Sequence, residues 1–84
     1  RIAFANGGLI GSVGEKVSLS IEVLKNIFSQ QWNTHYSSGI TSDDQVVFFA
    51  YKQQLEVGKM IDLHGTVKAH RDNITQLNRV KVIV

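Results

Sequence analysis

Gly58-Lys59-Met60-Ile61-Asp62-Leu63-His64-Gly65-Thr66-Val67-Lys68-Ala69-His70-Arg71-Asp72-Asn73-Ile74-Thr75-Gln76-Leu77-Asn78-Arg79-Val80-Lys81-Val82 is the stretch that decides the fold. A strand sends successive side chains to opposite faces. Ile61, Leu63, Val67 and Ala69 accordingly share one face with Gly65 between them, and Asp62, His64, Thr66, Lys68 and His70 share the other. A glycine at an inward position of an apolar strand marks a bulge or a tight bend, which a small curved sheet needs in order to close. Gly65 therefore predicts a barrel rather than a flat sheet. After a polar, basic turn the next strand begins with Thr75 and Leu77 inward and ends with Val80 and Val82 inward and Arg79 and Lys81 outward. That change of phase near Asn78 predicts a second bulge. Charge collects on the face that cannot be core, as on a surface that meets something negative.

Upstream, Val17, Leu19, Ile21 and Val23 alternate with Ser18, Ser20 and Glu22, and the pattern runs on through Leu24 to Phe28 with a slip of phase. This predicts a long, bent first strand. A loop over Ser29 to Thr34 leads to a weaker strand from His35 to Thr41, and Ser42-Asp43-Asp44-Gln45 has the residue types of a turn. A third strand follows from Val46 to Lys52. Gln53 to Val57 has room for no more than one turn of helix before Gly58 punctuates the chain. Zero prolines, seven glycines and β-branched residues in short runs favour strands. The expected class is all-β, a five-stranded barrel with a short turn or helical bridge between its third and fourth strands. Residues 1–12, where Ile2 and Phe4 alternate with Ala3 and Ala5 before Asn6-Gly7-Gly8, read as an extended lead-in to one domain over 13–84.

The 84 residues, 43% hydrophobic, suffice for one small core and no second domain. A chain that starts at Arg1 reads as a piece of a longer protein. The absence of cysteine excludes disulfides and thiolate metal sites, and cytoplasmic residence is the expected default. No apolar run approaches the roughly 20 residues of a membrane-spanning helix, so a soluble domain with no membrane contact is expected. A net charge of +2 is mild for a nucleic-acid binder. Its distribution is more telling: from Thr66 onward Lys68, Arg71, Arg79 and Lys81 face a single acid, Asp72, a balance of +3.

Five short strands, a long bent first one, a bridge before the fourth and a basic loop before the fifth resemble the OB-fold. The local phrasing is similar too: Gly14-Glu15-Lys16-Val17 opens strand one, Leu55-Glu56-x-Gly58-Lys59 leads to Leu63-x-Gly65-Thr66-Val67-Lys68, and Thr75-Gln76-Leu77-x-Arg79-Val80 closes the chain. From Val13 to Val84 it resembles the single-stranded-nucleic-acid-binding-like modules of DNA-metabolism proteins, many of them encoded by bacteriophages; a phage origin would make the compartment the host cytoplasm. The likeness implies a ligand face on strands two and three, flanked by the loops between strands one and two and between strands four and five. Trp32, His35 and Tyr36 fall in or beside the first of those loops, Phe48, Phe49 and Tyr51 on strand three, and Lys68, His70 and Arg71 at the second loop. Aromatic rings for bases and cations for phosphates are what single strands require. Phe49 and Tyr51 are taken as stacking residues. Alternation leaves the register open, since Val46, Phe48 and Ala50 form one set and Val47, Phe49 and Tyr51 the other, which could equally pack under a neighbouring domain. Trp32 reads as an exposed binding residue, the alternative being a ring that plugs the barrel end. Arg79 completes the candidate set, less directly placed.

Three constellations carry no chemistry. Gly8-x-x-Gly11-x-x-Gly14-Glu15-Lys16 departs from the phosphate-loop motif, which needs lysine directly after its last glycine and a hydroxyl residue next. His64 and His70 would stand roughly 20 Å apart on a strand, too far to share a metal. Asp43 and Asp44 are turn formers rather than a catalytic pair. The expected function is a non-catalytic module, without cofactor or metal, that binds single-stranded DNA or RNA within a larger replication, recombination or repair protein. The competing expectation is a protein-interaction or domain-packing module with no nucleic-acid binding.

Overall fold

The computed structural model describes residues 8–83. Its strands are β1 (Lys16–Ser29), β2 (Thr34–Ile40), β3 (Val46–Tyr51), β4 (Met60–Arg71) and β5 (Ile74–Ile83). They close in the order β1-β2-β3-β5-β4, and β4 pairs back onto β1. Closure depends on the length of β1, because its first half pairs with β4 from Lys16↔Thr66 to Glu22↔Met60 and its second half pairs with β2 from Glu22↔Ile40 to Ser29↔Thr34. The slip of phase expected along β1 is a bulge between Val23 and Lys25, which leaves Leu24 unmatched. β3 and β5 join by a short parallel ladder, Val47↔Thr75 to Phe49↔Leu77. The fold is an all-β, five-stranded OB-like barrel, and the bridge over 52–59 is turn and irregular chain without helix.

Inside lie Ile21 and Val23 of β1, Val47 and Phe49 of β3, Leu63 and Val67 of β4 and Leu77 of β5. Leu55, also buried, brings the bridge against this core. Gly39 lets β2 approach β1 closely: a Cβ there would stand 2.4 Å from Ile21 Cδ1 and 3.0 Å from the Glu22 carbonyl oxygen. On β4, Leu63, Gly65 and Val67 are buried while Asp62, His64 and Lys68 are exposed, as alternation predicts.

The bulges around Gly65 and Asn78 take a definite form. Between the pairs His64↔Lys81 and Thr66↔Asn78, β5 carries one extra residue opposite Gly65, and Arg79 adopts a left-handed φ of 52°. A further bulge, between Val67↔Leu77 and Ala69↔Gln76, leaves Lys68 unmatched on β4. Beyond it the faces of β4 exchange, so that Arg71 shares a face with Ile74 and His70 with the fully buried Thr75. The β4–β5 connection is then two residues, Asp72 and Asn73, at φ 51° and 62°. Positive φ at both central positions is the conformation of a type I′ hairpin turn, whose twist matches that of the flanking strands.

Of the segment read as a lead-in, Ile2 and Phe4 lie outside the described residues, and Ile10 belongs to the core. Its N–H donates to Thr75 Oγ1 at 2.9 Å and its carbonyl accepts from His70 Nε2 at 3.0 Å. The packed part of the domain therefore begins ahead of Val13.

Candidate functional site

The registers of β1, β2, β3 and β5 build one continuous outer face. Lys25 pairs with Ser38, Ser38 with Phe48 and Phe48 with Gln76, so four strands contribute to a single row. Ile27, Tyr36 and Ala50 form the adjacent row. Tyr36 and Phe48 sit diagonally across the β2–β3 ladder, a separation that aromatic side chains bridge. Their rings stack at 5.8 Å between centroids with 1° between planes. The two rings lie in a groove of about 550 Å³ with Lys25 and Ile27 on one wall and Ile74 and Gln76 on the other. Arg71 reaches the groove from the last position of β4, because the Lys68 bulge turns it to the outer face. Among the described residues no acid pairs with Lys25 or Arg71, although Asp72 also borders the groove.

This arrangement joins only part of the site expected from sequence. Of the residues named from sequence, Tyr36 and Arg71 both line the groove. Phe49 does not: it is 1% exposed, a core residue, because β3 turns Val47, Phe49 and Tyr51 inward. Its neighbour Phe48, 38% exposed, is the outward ring. Tyr51 is half-buried and packs against the core, so it too lies on the inner side of β3. His35 is directed away from Tyr36 by the same alternation. Its ring tilts against Phe28 at 4.9 Å, and its Nδ1–H donates to Asn26 Oδ1 at 3.3 Å. Asn26 in turn donates to the buried Ser37 Oγ at 2.7 Å. His35 is thus part of a polar brace beneath the hairpin. His70, expected on the outer face, is half-buried and holds the Ile10 carbonyl.

Trp32 stands 66% exposed in the four-residue turn between β1 and β2, and is not a plug of the barrel end. It does not line the groove. Lys68 is exposed on its bulge, and Arg79 borders a separate cavity between β1, β4 and β5. Comparison with protein families, characterised proteins and solved structures finds no match.

Phe48, Lys25 and Gln76 are among the groove residues that sequence reasoning left out of the site. Lys25 follows the unmatched Leu24, so alternation counted from Val17 assigns it to the wrong face. Gln76 was hidden because its neighbours in the groove come from strands whose pairing the sequence does not display. The assembled surface offers flat rings, two cations, Lys25 and Arg71, and an amide side chain, and among the described residues no three His, Asp or Glu side chains gather as metal ligands would.

Proposed function

We propose that the domain is a non-catalytic OB-like module that binds single-stranded nucleic acid along the outer face of β1, β2, β3 and β5, as a part of a larger protein of DNA metabolism. The observation that carries this reading is the Tyr36–Phe48 stack lying between Lys25 and Arg71. Bases can stack on the rings regardless of sequence, at about 1–3 kcal/mol each, while the cations follow the phosphates. Ser38 and Gln76 add donors and acceptors within the same groove.

The deciding experiment is a titration of labelled oligothymidine followed by fluorescence anisotropy at low and moderate salt, with Trp32 emission recorded in parallel. The expected result is saturable binding that weakens as salt rises, because phosphate neutralisation releases counterions. Quenching of Trp32 would place the strand's end beside the β1–β2 turn. Absence of binding at low salt would reject the reading. A protein-interaction module would then be favoured by Phe28, Trp32, Val57 and Met60, exposed at 48%, 66%, 60% and 61%, all outside the groove.

A further inference from the structure

The other halves of β1, β4 and β5 form a second polar site. Lys16 pairs with Thr66 and Ser18 with His64, while the β5 bulge sets Arg79 opposite Gly65. These five side chains surround a cavity of about 350 Å³ to which, among the described residues, no carboxylate side chain contributes. Of the nearest acids, Glu15 Oε1 accepts from the Ser12 N–H at 3.0 Å, and Asp62, the next residue along the His64 face of β4, accepts from Ser20 Oγ beside the cavity. Among the described residues neither Lys16 nor Arg79 has an ion-pair partner. Ser18 Oγ bonds His64 Nδ1 at 2.6 Å, which orients the imidazole and leaves Nε2 without a partner among those residues.

Arg79 holds the left-handed conformation that non-glycine residues rarely adopt. Glycine would occupy it without strain. What arginine adds there is a guanidinium, whose planar fork of N–H donors matches the oxygens of a phosphate. Lys16 supplies a point charge, the Thr66 hydroxyl is a short donor at the cavity wall, and Ser18, by donating to His64 Nδ1, leaves the imidazole's Nε2–H as the donor.

We propose that this cavity binds a phosphate group, held by Arg79 and Lys16 with His64 and the Thr66 hydroxyl around it. The site is separate from the groove and does not depend on the groove's ligand. Two sources share the chemistry: free phosphate or a phosphomonoester, and the phosphodiester of a nucleic-acid strand.

The test is a backbone-amide NMR titration of the 84-residue chain with inorganic phosphate, against sodium chloride at matched ionic strength. Saturable shifts are expected at Lys16, Ser18, His64 and Arg79 with phosphate alone, while the amides of Tyr36 and Phe48 stay in place. Arg79→Gly suits the left-handed backbone and removes the guanidinium with the rest of an exposed side chain, so it should stay folded and weaken phosphate at least about tenfold, the scale of a charge-assisted contact. Lys16→Gln, at the exposed start of β1, should weaken it as well. Equal shifts with chloride, no saturation, or unchanged binding by folded Arg79→Gly would overturn the proposal. Oligothymidine then separates the sources. If it moves the same amides and Arg79→Gly lowers the salt slope of its binding by about 0.7, the ligand is a phosphodiester; if inorganic phosphate alone moves them, the site takes free phosphate or a phosphomonoester.

Discussion

Phe48 and Phe49 are chemically identical neighbours with opposite consequences, and the difference is one of side-chain direction. Truncating Phe49 opens a cavity among Val47, Leu63 and the rest of the core. Phe49→Ala should therefore lose about 3–5 kcal/mol, enough to unfold much of so small a domain, as urea denaturation would register. Phe48→Ala should leave the unfolding midpoint nearly unchanged and weaken oligothymidine about 5- to 150-fold, the range set by one stacked base. Equal affinity in folded Phe48→Ala would remove the ring from the binding surface. The sequence could not assign these roles, because Val46 and Val47 are both buried and both alternating sets of β3 are apolar. Where one face of a strand is polar, as on β4 from Asp62 to Lys68, direction was readable residue by residue. His35 and Tyr36 show the limit of a site inferred from chain position alone. Adjacent residues on a regular, unbulged strand point to opposite faces.

At the scale of the element, bulges decide what the surface carries. The one at Leu24 turns Lys25 outward, and the one at Lys68 brings Arg71 to the groove while directing His70 to Ile10. The slip along β1 and the phase change near Asn78 were legible because apolar residues resume out of step on either side. The Lys68 bulge left no such trace, since Ala69 and His70 suit either face. Its consequence is the latch by which the segment before β1 is fastened. Thr75→Val preserves shape but removes the acceptor of the Ile10 N–H, and should cost about 1 kcal/mol. Hydrogen exchange should report it as faster exchange at the Ile10 amide, by more than the roughly fivefold change that a loss of about 1 kcal/mol gives to core amides that exchange by global unfolding. Ile10→Ala should cost more, about 2–4 kcal/mol, because it also empties part of the core. Stability unchanged in both variants would show that residues 8–12 are not fastened to the barrel.

For the molecule as a whole, the net charge of +2 understates how the cations are arranged. Lys25 and Arg71 serve the groove, while Lys16 and Arg79 serve the second cavity. Binding of a short oligothymidine confined to the groove should have a logarithmic salt slope of about −1.4, from roughly −0.7 for each neutralised phosphate on a single strand. Lys25→Ala and Arg71→Ala should each reduce it by about 0.7, and a slope indifferent to both would place the strand elsewhere. The overall class, one all-β barrel, was plain from the strand count and from Gly65. The shape of the groove was not, because it depends on the β3–β5 junction, where residues far apart in sequence meet. The pairing of β1 with β4 has a consequence in time. The β1–β2–β3 meander can assemble locally, but Lys16 must wait for Thr66 before the barrel closes, and such non-local pairing belongs to domains that fold in milliseconds to seconds. With no proline in the chain, no isomerisation phase of tens of seconds can be superimposed. Refolding should follow a single exponential whose rate is set by that last encounter, and until it occurs a nascent chain carries β1 with its first half unpaired.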